Sequence, residues 1–253
     1  MGAIRVDGLR KSYGSVEAVA GMEFTVERGE LYGFLGPNGA GKTTTIRTLT
    51  GQIEPDSGSV RVLGTDPTTE PLATRQAVGI LPEQGSPPSF LTPREYFEFV
   101  GEVRDLDSER VADRMAAWAD RLGFESKLDT LHTDLSRGQQ QKVMITQAFL
   151  HEPDVVFIDE PLANLDPLVQ EQVKQFLVSY AAGDNAVFVS THNIDVAEEI
   201  CTRVGIVADG QLVTERTLDG DEDDESLLDV FLDRVEGTAE RDVPTPGRMD
   251  TES

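Results

Sequence analysis

The sequence predicts an α/β fold built on a largely parallel sheet. Three short runs, residues 31–35, 154–160 and 186–190, are almost entirely apolar, as expected of strands that are buried on both faces of a parallel sheet. Segments compatible with helices separate these runs, and polar residues follow each run at its carboxyl end. With 253 residues, the chain can form one such domain with a subdomain inserted into it.

A glycine-rich loop follows the first of these runs. Residues 36–43 read G-P-N-G-A-G-K-T, and the helix-compatible run 44–50 comes directly after them. Three glycines let backbone N–H groups approach a phosphate without side-chain bulk, and the next helix presents its positive end there. Lys42 can reach the β- and γ-phosphates, and the Thr43 hydroxyl is placed to bind Mg²⁺. The strand before the loop and the helix after it favour a nucleotide site over a glycine-rich turn.

Two carboxylates end the apolar run 154–160. Asp159 is positioned to hold the Mg²⁺ shell, and Glu160 is a natural general base for the attacking water. The alternative is an acid pair that is merely solvated, and the phosphate loop makes this alternative the weaker one. His192 lies just past the run 186–190, where open α/β sheets place their ligands, and it could donate to the γ-phosphate.

The sequence alone leaves the roles of two other side chains open. Gln84 follows the apolar segment 77–82, and near phosphates its amide oxygen could bind Mg²⁺, although a lone loop glutamine is usually just solvated. Tyr13 precedes the phosphate loop, and its ring could either stack on adenine or pack at a sheet edge.

The middle of the chain is mostly helical. Thr92 and the proline after it predict a capped helix start, and residues 108–122 repeat apolar side chains with helical spacing. We expect this insert, about residues 85–150, to stand off the sheet as a subdomain. Ser136 can cap a helix that includes residues 143–150, and Gly138 leaves room for an anion at its start. One chain already has a phosphate loop, so this second anion site would serve a nucleotide bound to another copy.

Charge excludes one class of partner. The formal net charge is −24, of which residues 219–253 contribute −10, so the rest of the chain is acidic as well. Nucleic-acid binders need a basic stripe, which is missing here, and we therefore expect no nucleic-acid partner. Only 5 of the 22 basic residues are lysine. Many acids with few lysines resemble the proteins of salt-loving microbes, where salt screens the repulsion between charges.

Other sequence features favour a cytoplasmic protein. Uncharged apolar stretches such as residues 143–150 are far shorter than the roughly 18 residues that a membrane span needs. The first residues show no secretory signal, and the single cysteine, Cys201, fits a reducing compartment. Residues 219–253 are predicted to form an acidic linker, a short amphipathic helix over 226–235 and a disordered tail.

In this order, the motifs resemble the ATP-binding subunit of ABC transporters over about residues 1–235. The resemblance implies an α/β P-loop NTPase fold, in which residues 1–218 form an ABC-type ATPase domain with a mixed sheet core, an N-terminal antiparallel β-subdomain and the inserted helical subdomain. It implies the cofactors ATP and Mg²⁺, and catalytic roles for Glu160, His192 and Lys42. The implied ATP-binding residues are Tyr13, Gly36, Asn38, Gly39, Ala40, Gly41, Lys42, Thr43, Thr44, Gln84, Ser136, Gly138, Gln139 and Asp166, and the implied metal ligands are Thr43, Gln84 and Asp159.

The resemblance also implies partners. In the family, two ATPase subunits, identical or paired, dimerise head to tail, so that Ser136 and Gly138 of one chain contact the nucleotide of the other. The sequence GPNGAGKTTTIRTLTG, the residues LPE and the segment 226–232 are similar to the ABC-2-type multidrug-export branch, where the permease is a separate transmembrane chain. The protein would then be an ATP hydrolase attached through this permease to the inner face of the cell membrane.

The sequence departs from the family pattern in one motif. The usual signature is LSGGQ, and Arg137 replaces its first glycine. Ser136 and Gly138 are kept, so we expect full activity. The guanidinium of Arg137 could add a positive charge that stabilises the nucleotide bound to the other subunit. An alternative class is a soluble ABC ATPase that acts as an assembly factor, for example in iron–sulfur cluster biogenesis.

Overall fold

The computed structural model describes residues 2–160, 162, 164–218 and 226–239. Strands in this part of the chain are β1 (Ile4–Tyr13), β2 (Val16–Val26), β3 (Leu31–Leu35), β4 (Ser57–Val62), β5 (Val78–Leu81), β6 (Val155–Asp159), β7 (Ala186–Thr191), β8 (Arg203–Ala208) and β9 (Gln211–Thr217). Helices in the same part are α1 (Lys42–Leu49), α2 (Pro71–Ala77), α3 (Pro93–Val103), α4 (Ser108–Leu122), α5 (Arg137–Phe149), α6 (Pro167–Ala182), α7 (Ile194–Ile200) and α8 (Leu227–Ala239).

Two sheets form the framework. The central sheet has the strand order β5-β6-β7-β3-β8-β9, and all its neighbouring strands are parallel except β8 and β9, which form an antiparallel hairpin. A smaller antiparallel sheet has the order β2-β1-β4. The predicted mixed core sheet and N-terminal antiparallel sheet are therefore both confirmed.

Aromatic rings fill the space between the two sheets. Phe24 of β2 stacks on Tyr32 of β3 with ring centroids 5.7 Å apart, and Phe34 and Phe188 lie 5.1 Å apart in the same cluster. These four side chains are at most 4% exposed. Such rings bury large apolar areas, and their packing fixes the small sheet against the β3–β7 part of the central one.

The helices that follow β5 begin where the sequence predicts capping. Thr92 and Glu95 form a reciprocal capping box at the start of α3, and α4 covers the predicted residues 108–122. Helix α5 begins at Arg137, before the predicted apolar run, because the Ser136 side chain caps it there. Phe97, Met115 and Phe149 belong to one buried cluster that also includes residues of the central sheet.

Several predictions fall on residues that the structure does not describe. The acidic linker 219–225 and the tail 240–253 lie outside the described residues, as do Met1, Pro161 and Ala163. Between the linker and the tail, α8 is described, and its first residue, Leu227, is buried against the main cluster. The division into domains at 1–218 and about 85–150 remains a prediction. In the described part of the chain, no helix is both long and apolar enough to cross a membrane.

Candidate functional site

The carboxyl ends of four neighbouring strands meet at one edge of the central sheet. Leu35, the last residue of β3, pairs with Thr191 of β7, and Ser190 of β7 pairs with Asp159 of β6. The chain leaves β5 at the same edge, because β5 is parallel to β6. The phosphate loop, both strand-end carboxylates and His192 are consequently neighbours, although they are far apart in the sequence.

A cavity of about 410 Å³ opens at this edge. Of the predicted site residues, it is lined by Tyr13, Asn38, Gly39, Gly41, Lys42, Thr43, Thr44, Asp159 and Glu160. Two lining residues were not predicted, Ala18 of β2 and Glu83 after β5. Gly36 and Ala40 belong to the phosphate loop but do not line the cavity wall.

The phosphate loop depends on glycine at two positions for different reasons. Gly41 precedes α1 with φ = 98°, a left-handed conformation that other residues rarely adopt, and a Cβ there would lie 2.3 Å from the carbonyl oxygen of Ala18. At Gly36, a Cβ would lie 2.3 Å from the carbonyl oxygen of Val207. The first glycine of the motif is therefore required by packing against β8, in addition to any need for access by a phosphate.

Lys42 occupies the centre of the loop. It is only 7% exposed, and its Nζ donates to the carbonyl oxygens of Gly36 at 2.7 Å and Pro37 at 3.1 Å. Burial lowers the pKa of Lys42, and the facing carboxylates of Glu160, Asp159 and Glu83 partly oppose this shift. The loop thus holds a cation that is ready to exchange two carbonyl partners for phosphate oxygens.

Asp159 is held by hydroxyl groups on both sides. The Thr43 hydroxyl donates to its Oδ2 at 2.8 Å, and the Ser190 hydroxyl donates to its Oδ1. These contacts place a hydroxyl and a carboxylate oxygen side by side at the loop, and oxygen donors of this kind are what Mg²⁺ prefers. The described residues contain no cluster of three or more His, Cys, Asp and Glu side chains suited to a metal. A metal at this place would therefore complete its shell with nucleotide phosphates and water.

Glu160 has a constrained backbone and a well-anchored carboxylate. Its φ is 54°, an uncommon value for a residue other than glycine, and its N–H donates to the carbonyl oxygen of Ser190 at 3.0 Å. Its carboxylate accepts from the N–H of His192 at 3.0 Å and from the Thr191 hydroxyl at 3.2 Å. The Nδ1 of His192 lies 2.6 Å from the same carboxylate. The structure thus brings Glu160 and His192 together.

The segment after β5 differs from the expectation. Glu83 and Gln84 are both exposed, and of the two only Glu83 lines the cavity. The strand ends at Leu81 and the chain bends at residues 83 and 84, and along this path only the first of the two side chains reaches the cavity wall. The available signal was the spacing from the end of the strand, since Glu83 is the first polar residue after it. The role predicted for Gln84 remains a prediction that this geometry does not support.

Ser136 and Gly138, predicted to serve a second nucleotide, and Gln139 and Asp166, predicted to bind ATP, do not line the cavity either. Ser136 and Gln139 satisfy each other in a capping box at the start of α5, with the N–H of Ser136 donating to Gln139 at 2.9 Å. A Cβ on Gly138 would lie 2.9 Å from the carbonyl oxygen of Asn164. Asp166 caps α6 by accepting from the N–H of Val169 at 3.1 Å. This region forms a separate surface of the same chain.

An ion pair also joins helix α5 to the segment before α6. Lys142 of α5 has its Nζ 4.0 Å from the Asp166 carboxylate. Arg137, by contrast, is exposed on the first turn of α5, and we find no hydrogen bond or ion pair for it among the described residues. Its guanidinium is available to a group outside the chain.

Comparison with known proteins agrees with this geometry. A family model described as ABC transporter matches residues 19–163. The daunorubicin/doxorubicin resistance ATP-binding protein DrrA of Streptomyces peucetius is 33% identical over 215 residues, which are 85% of this chain and 65% of DrrA, just under two thirds of that protein. The Nod factor export ATP-binding protein I of Paraburkholderia xenovorans is 32% identical over 213 residues, 84% of this chain and 70% of that protein.

Solved structures show the same fold. An ATP-binding subunit of an ABC transporter is 30% identical and superposes with a TM-score of 0.81, covering 86% of this chain and 90% of its own. The ATP-binding cassette MJ0796, solved as a dimer in a post-hydrolysis state with ADP and Pi, has a TM-score of 0.80 at 24% identity, covering 86% of this chain and all of its own. The sheet order, the phosphate loop and the strand-end carboxylates define a P-loop ATPase cassette. The chain belongs to the ABC transporter family, and the predicted fold class, family and ATPase class are confirmed.

Proposed function

We propose that the chain hydrolyses MgATP and thereby powers a separate transmembrane permease of the exporter type. The observation that carries the proposal is the cavity at the sheet edge, where Lys42, the Asp159 carboxylate and the Glu160 carboxylate face one another beside the phosphate loop. This set contains a cation for phosphate oxygens, a metal-binding oxygen and a general base.

Each residue has a proposed part in hydrolysis. Backbone N–H groups of the loop, from Gly36 to Thr44, bind the phosphates, and Lys42 neutralises charge on the β- and γ-phosphates. Glu160 orients and deprotonates the attacking water. His192 and Thr191 hold the Glu160 carboxylate in place, and His192 donates to the γ-phosphate when the nucleotide is bound.

A magnesium ion fits the charge of this cavity. Glu83, Asp159 and Glu160 all face Lys42, so a polyphosphate entering without a cation would meet three carboxylates and one ammonium group. The Thr43 hydroxyl and the Asp159 carboxylate would hold the ion, which would neutralise phosphate charge. Glu83 is a nearer candidate for a further oxygen ligand than Gln84, because only Glu83 lines the cavity.

The proposed working unit is a dimer of this chain or a pair with another ATPase subunit. Ser136, Gly138, Gln139 and Asp166 do not line the cavity of their own subunit. The start of α5 is exposed, and a helix start offers N–H groups and positive potential to a phosphate. These residues would therefore act on the nucleotide of a second subunit.

The exporter part of the proposal is supported by the names of relatives. DrrA is described as a drug-resistance ATP-binding protein, and its Nod factor counterpart as an export ATP-binding protein. We propose a separate permease and a place at the inner face of the cell membrane on this basis. The relatives that match do not favour the assembly-factor alternative. A nucleic-acid partner is not part of the proposal.

The proposed partner can be tested by purification from membranes. The tagged full-length chain is expressed in its source cells, the membrane fraction is solubilised in mild detergent, and co-purifying proteins are identified by mass spectrometry. We expect one multi-spanning membrane protein to co-purify in an amount close to that of the tagged chain. The Glu160→Gln variant should co-purify with the same protein. Recovery of soluble partners alone would contradict the transport function and support the assembly-factor class.

A further inference from the structure

The end of β1 carries Tyr13 at the rim of the cavity. Tyr13 lines the cavity and is 49% exposed, so one side of its ring is available to a ligand. It pairs with Val16 of β2 across the turn at Gly14. On the other side of β1, the last strand pair with β4 joins Arg10 and Ser57, so residues 11–13 extend beyond the pairing with β4.

On the β4 side, one carboxylate binds this end of β1. Asp56, the residue before β4, accepts from the N–H of Ser12 at 2.7 Å and from Nζ of Lys11 at 3.0 Å. The N–H of Asp56 donates to the carbonyl oxygen of Arg10 at 2.9 Å. Asp56 thus binds three consecutive residues of β1 and takes over where the backbone pairing with β4 stops.

The same contact places a cation against the tyrosine ring. Nζ of Lys11 lies 5.8 Å from the centroid of the Tyr13 ring, within the range of a cation–π interaction. The Lys11 side chain is only 18% exposed, and its ion pair with Asp56 fixes the position of the ammonium group. A cation on one side of the ring withdraws electron density, which favours stacking of an electron-rich base on the opposite side.

We infer that Asp56, acting through Lys11 and Ser12, is a positioning residue that fixes the Tyr13 ring as the platform for the nucleotide base. The inference rests on the proposed role of Tyr13 in binding ATP. Asp56 itself does not contact the nucleotide. It governs affinity for the base and leaves the chemistry at the γ-phosphate to the residues at the sheet edge.

The test separates the base from the phosphates. Dissociation constants of the full-length chain are measured for MgATP and for magnesium tripolyphosphate, which has the phosphates and no base. Tyr13→Ala should weaken MgATP binding about tenfold, because the stacking of one base is lost. The affinity for tripolyphosphate should stay unchanged. Asp56→Ala should weaken MgATP about threefold to fivefold, raise KM for ATP by the same factor at nearly constant kcat, and also leave tripolyphosphate unchanged.

Non-additivity identifies the path of the effect. If Asp56 acts through the ring, adding Asp56→Ala to Tyr13→Ala costs no further affinity. Asp56→Asn keeps an oxygen for the N–H of Ser12 but loses the negative charge that pairs with Lys11. Its affinity for MgATP should therefore lie between those of wild type and Asp56→Ala. Asp7→Ala is the matched control, because it removes an exposed ion pair with Arg5 on the same strand outside the cavity. Asp7→Ala should change the affinity for neither ligand.

Each alternative outcome has a distinct meaning. An equal loss of affinity for MgATP and for tripolyphosphate in Asp56→Ala would overturn the inference, since Asp56 would then act on the whole site. Fully additive losses of MgATP affinity in the double variant would overturn it too. Unchanged MgATP affinity in Asp56→Ala with a loss in Tyr13→Ala would overturn it as well, while the platform role of Tyr13 would stand. Unchanged affinity in Tyr13→Ala would instead refute the proposed role of Tyr13. Thermal unfolding of each variant checks that the sheet is intact.

Discussion

At the scale of single residues, the site combines one strained backbone position with a set of short polar contacts. Glu160 adopts φ = 54° at the point where the chain leaves β6, and this conformation brings its carboxylate to His192 and Thr191 on the next strand. Strain of this kind persists where the surrounding structure imposes it, and it is common at functional sites. The strand-end glutamate is thus fixed before a nucleotide arrives.

Replacement of Glu160 by glutamine tests its role as the base. Glu160→Gln keeps the shape and one acceptor oxygen for the N–H of His192, but it cannot take a proton from water. We expect MgATP binding within about twofold of wild type and hydrolysis at least ~10²-fold slower, measured by phosphate release at saturating ATP. Glu98→Gln, on the exposed face of α3 outside the cavity, is the control and should hydrolyse normally. Turnover retained in Glu160→Gln would refute the assignment.

Glu83 and Gln84 provide a second comparison between neighbouring residues. Only Glu83 lines the cavity, so Glu83→Ala should raise the Mg²⁺ concentration needed for half-maximal ATPase activity, by about threefold to tenfold for the loss of one carboxylate near the ion. Gln84→Ala is the matched control and should leave the Mg²⁺ dependence unchanged. The reverse pattern would restore Gln84 as the ligand and would mean that the segment rearranges when nucleotide binds.

At the scale of elements, polar contacts join the residues that follow α3 and α5 to backbone oxygens at the end of α2 and the start of β5. The Arg104 guanidinium donates to the carbonyl oxygen of Gln76 at 2.9 Å, and Nε2 of His151 lies 3.1 Å from the carbonyl oxygen of Val78. The other ring nitrogen of His151 is buried and has no hydrogen-bond partner among the residues that the structure describes. Arg104 and the histidine therefore tie the helical insert to the sheet through backbone oxygens rather than through an ion pair.

This junction predicts a dependence of stability on pH. Burial, reinforced by the charges of Arg104 and Arg114, lowers the pKa of His151 from 6.5 to about 4. The unfolded chain takes up a proton as pH falls through 6.5, whereas the folded chain resists until about pH 4. The contribution of neutral His151 is therefore complete above pH 6.5, and it is lost as pH falls towards 4, by about 2 kcal/mol at pH 5.

Denaturant unfolding at several pH values measures this contribution. The free energy of unfolding should fall less between pH 7 and pH 5 in His151→Gln than in wild type, because glutamine does not titrate. Glutamine also keeps an N–H donor for the carbonyl oxygen of Val78. Parallel curves for the two proteins would show that His151 does not contribute to the pH dependence.

At the scale of the whole molecule, the net charge of −24 is the dominant property. Several described ion pairs, such as Arg5 with Asp7 and Arg110 with Glu152, are exposed at both partners, and such pairs add little stability. Repulsion among the remaining acids must therefore oppose folding, and salt would screen it. We accordingly propose, from composition alone, that the protein is adapted to high salt.

Thermal unfolding as a function of salt tests this proposal. Between about 0.1 M and about 2 M KCl, the unfolding midpoint should rise by several degrees, as screening shortens the range of repulsion. Sucrose at equal osmolality is the control, since a rise of the same size would indicate general exclusion of solute from the protein surface. A midpoint that stays constant or falls with KCl would remove the proposal.

The sequence by itself determined the features that depend on neighbours along the chain. The phosphate loop, the paired acids at the end of β6, the capping residues Thr92 and Ser136 and the bounds of α4 are set by short-range chemistry and periodicity. For the same reason, the family and the fold class follow from the order of the motifs. The assignment of roles to single site residues remains a prediction, to be decided by the variants above.

The tertiary structure decided which side chains meet. Parallel pairing of β6 with β7 places His192 on Glu160, and the chain's exit from β5 turns Glu83, not Gln84, into the cavity. Pairing of β1 with β4 stops at Arg10, and this is why Asp56 reaches Lys11 beneath the Tyr13 ring. These contacts join residues between 32 and 45 positions apart. They depend on which distant strands become neighbours in a sheet, and the local sequence of each strand does not specify its partner.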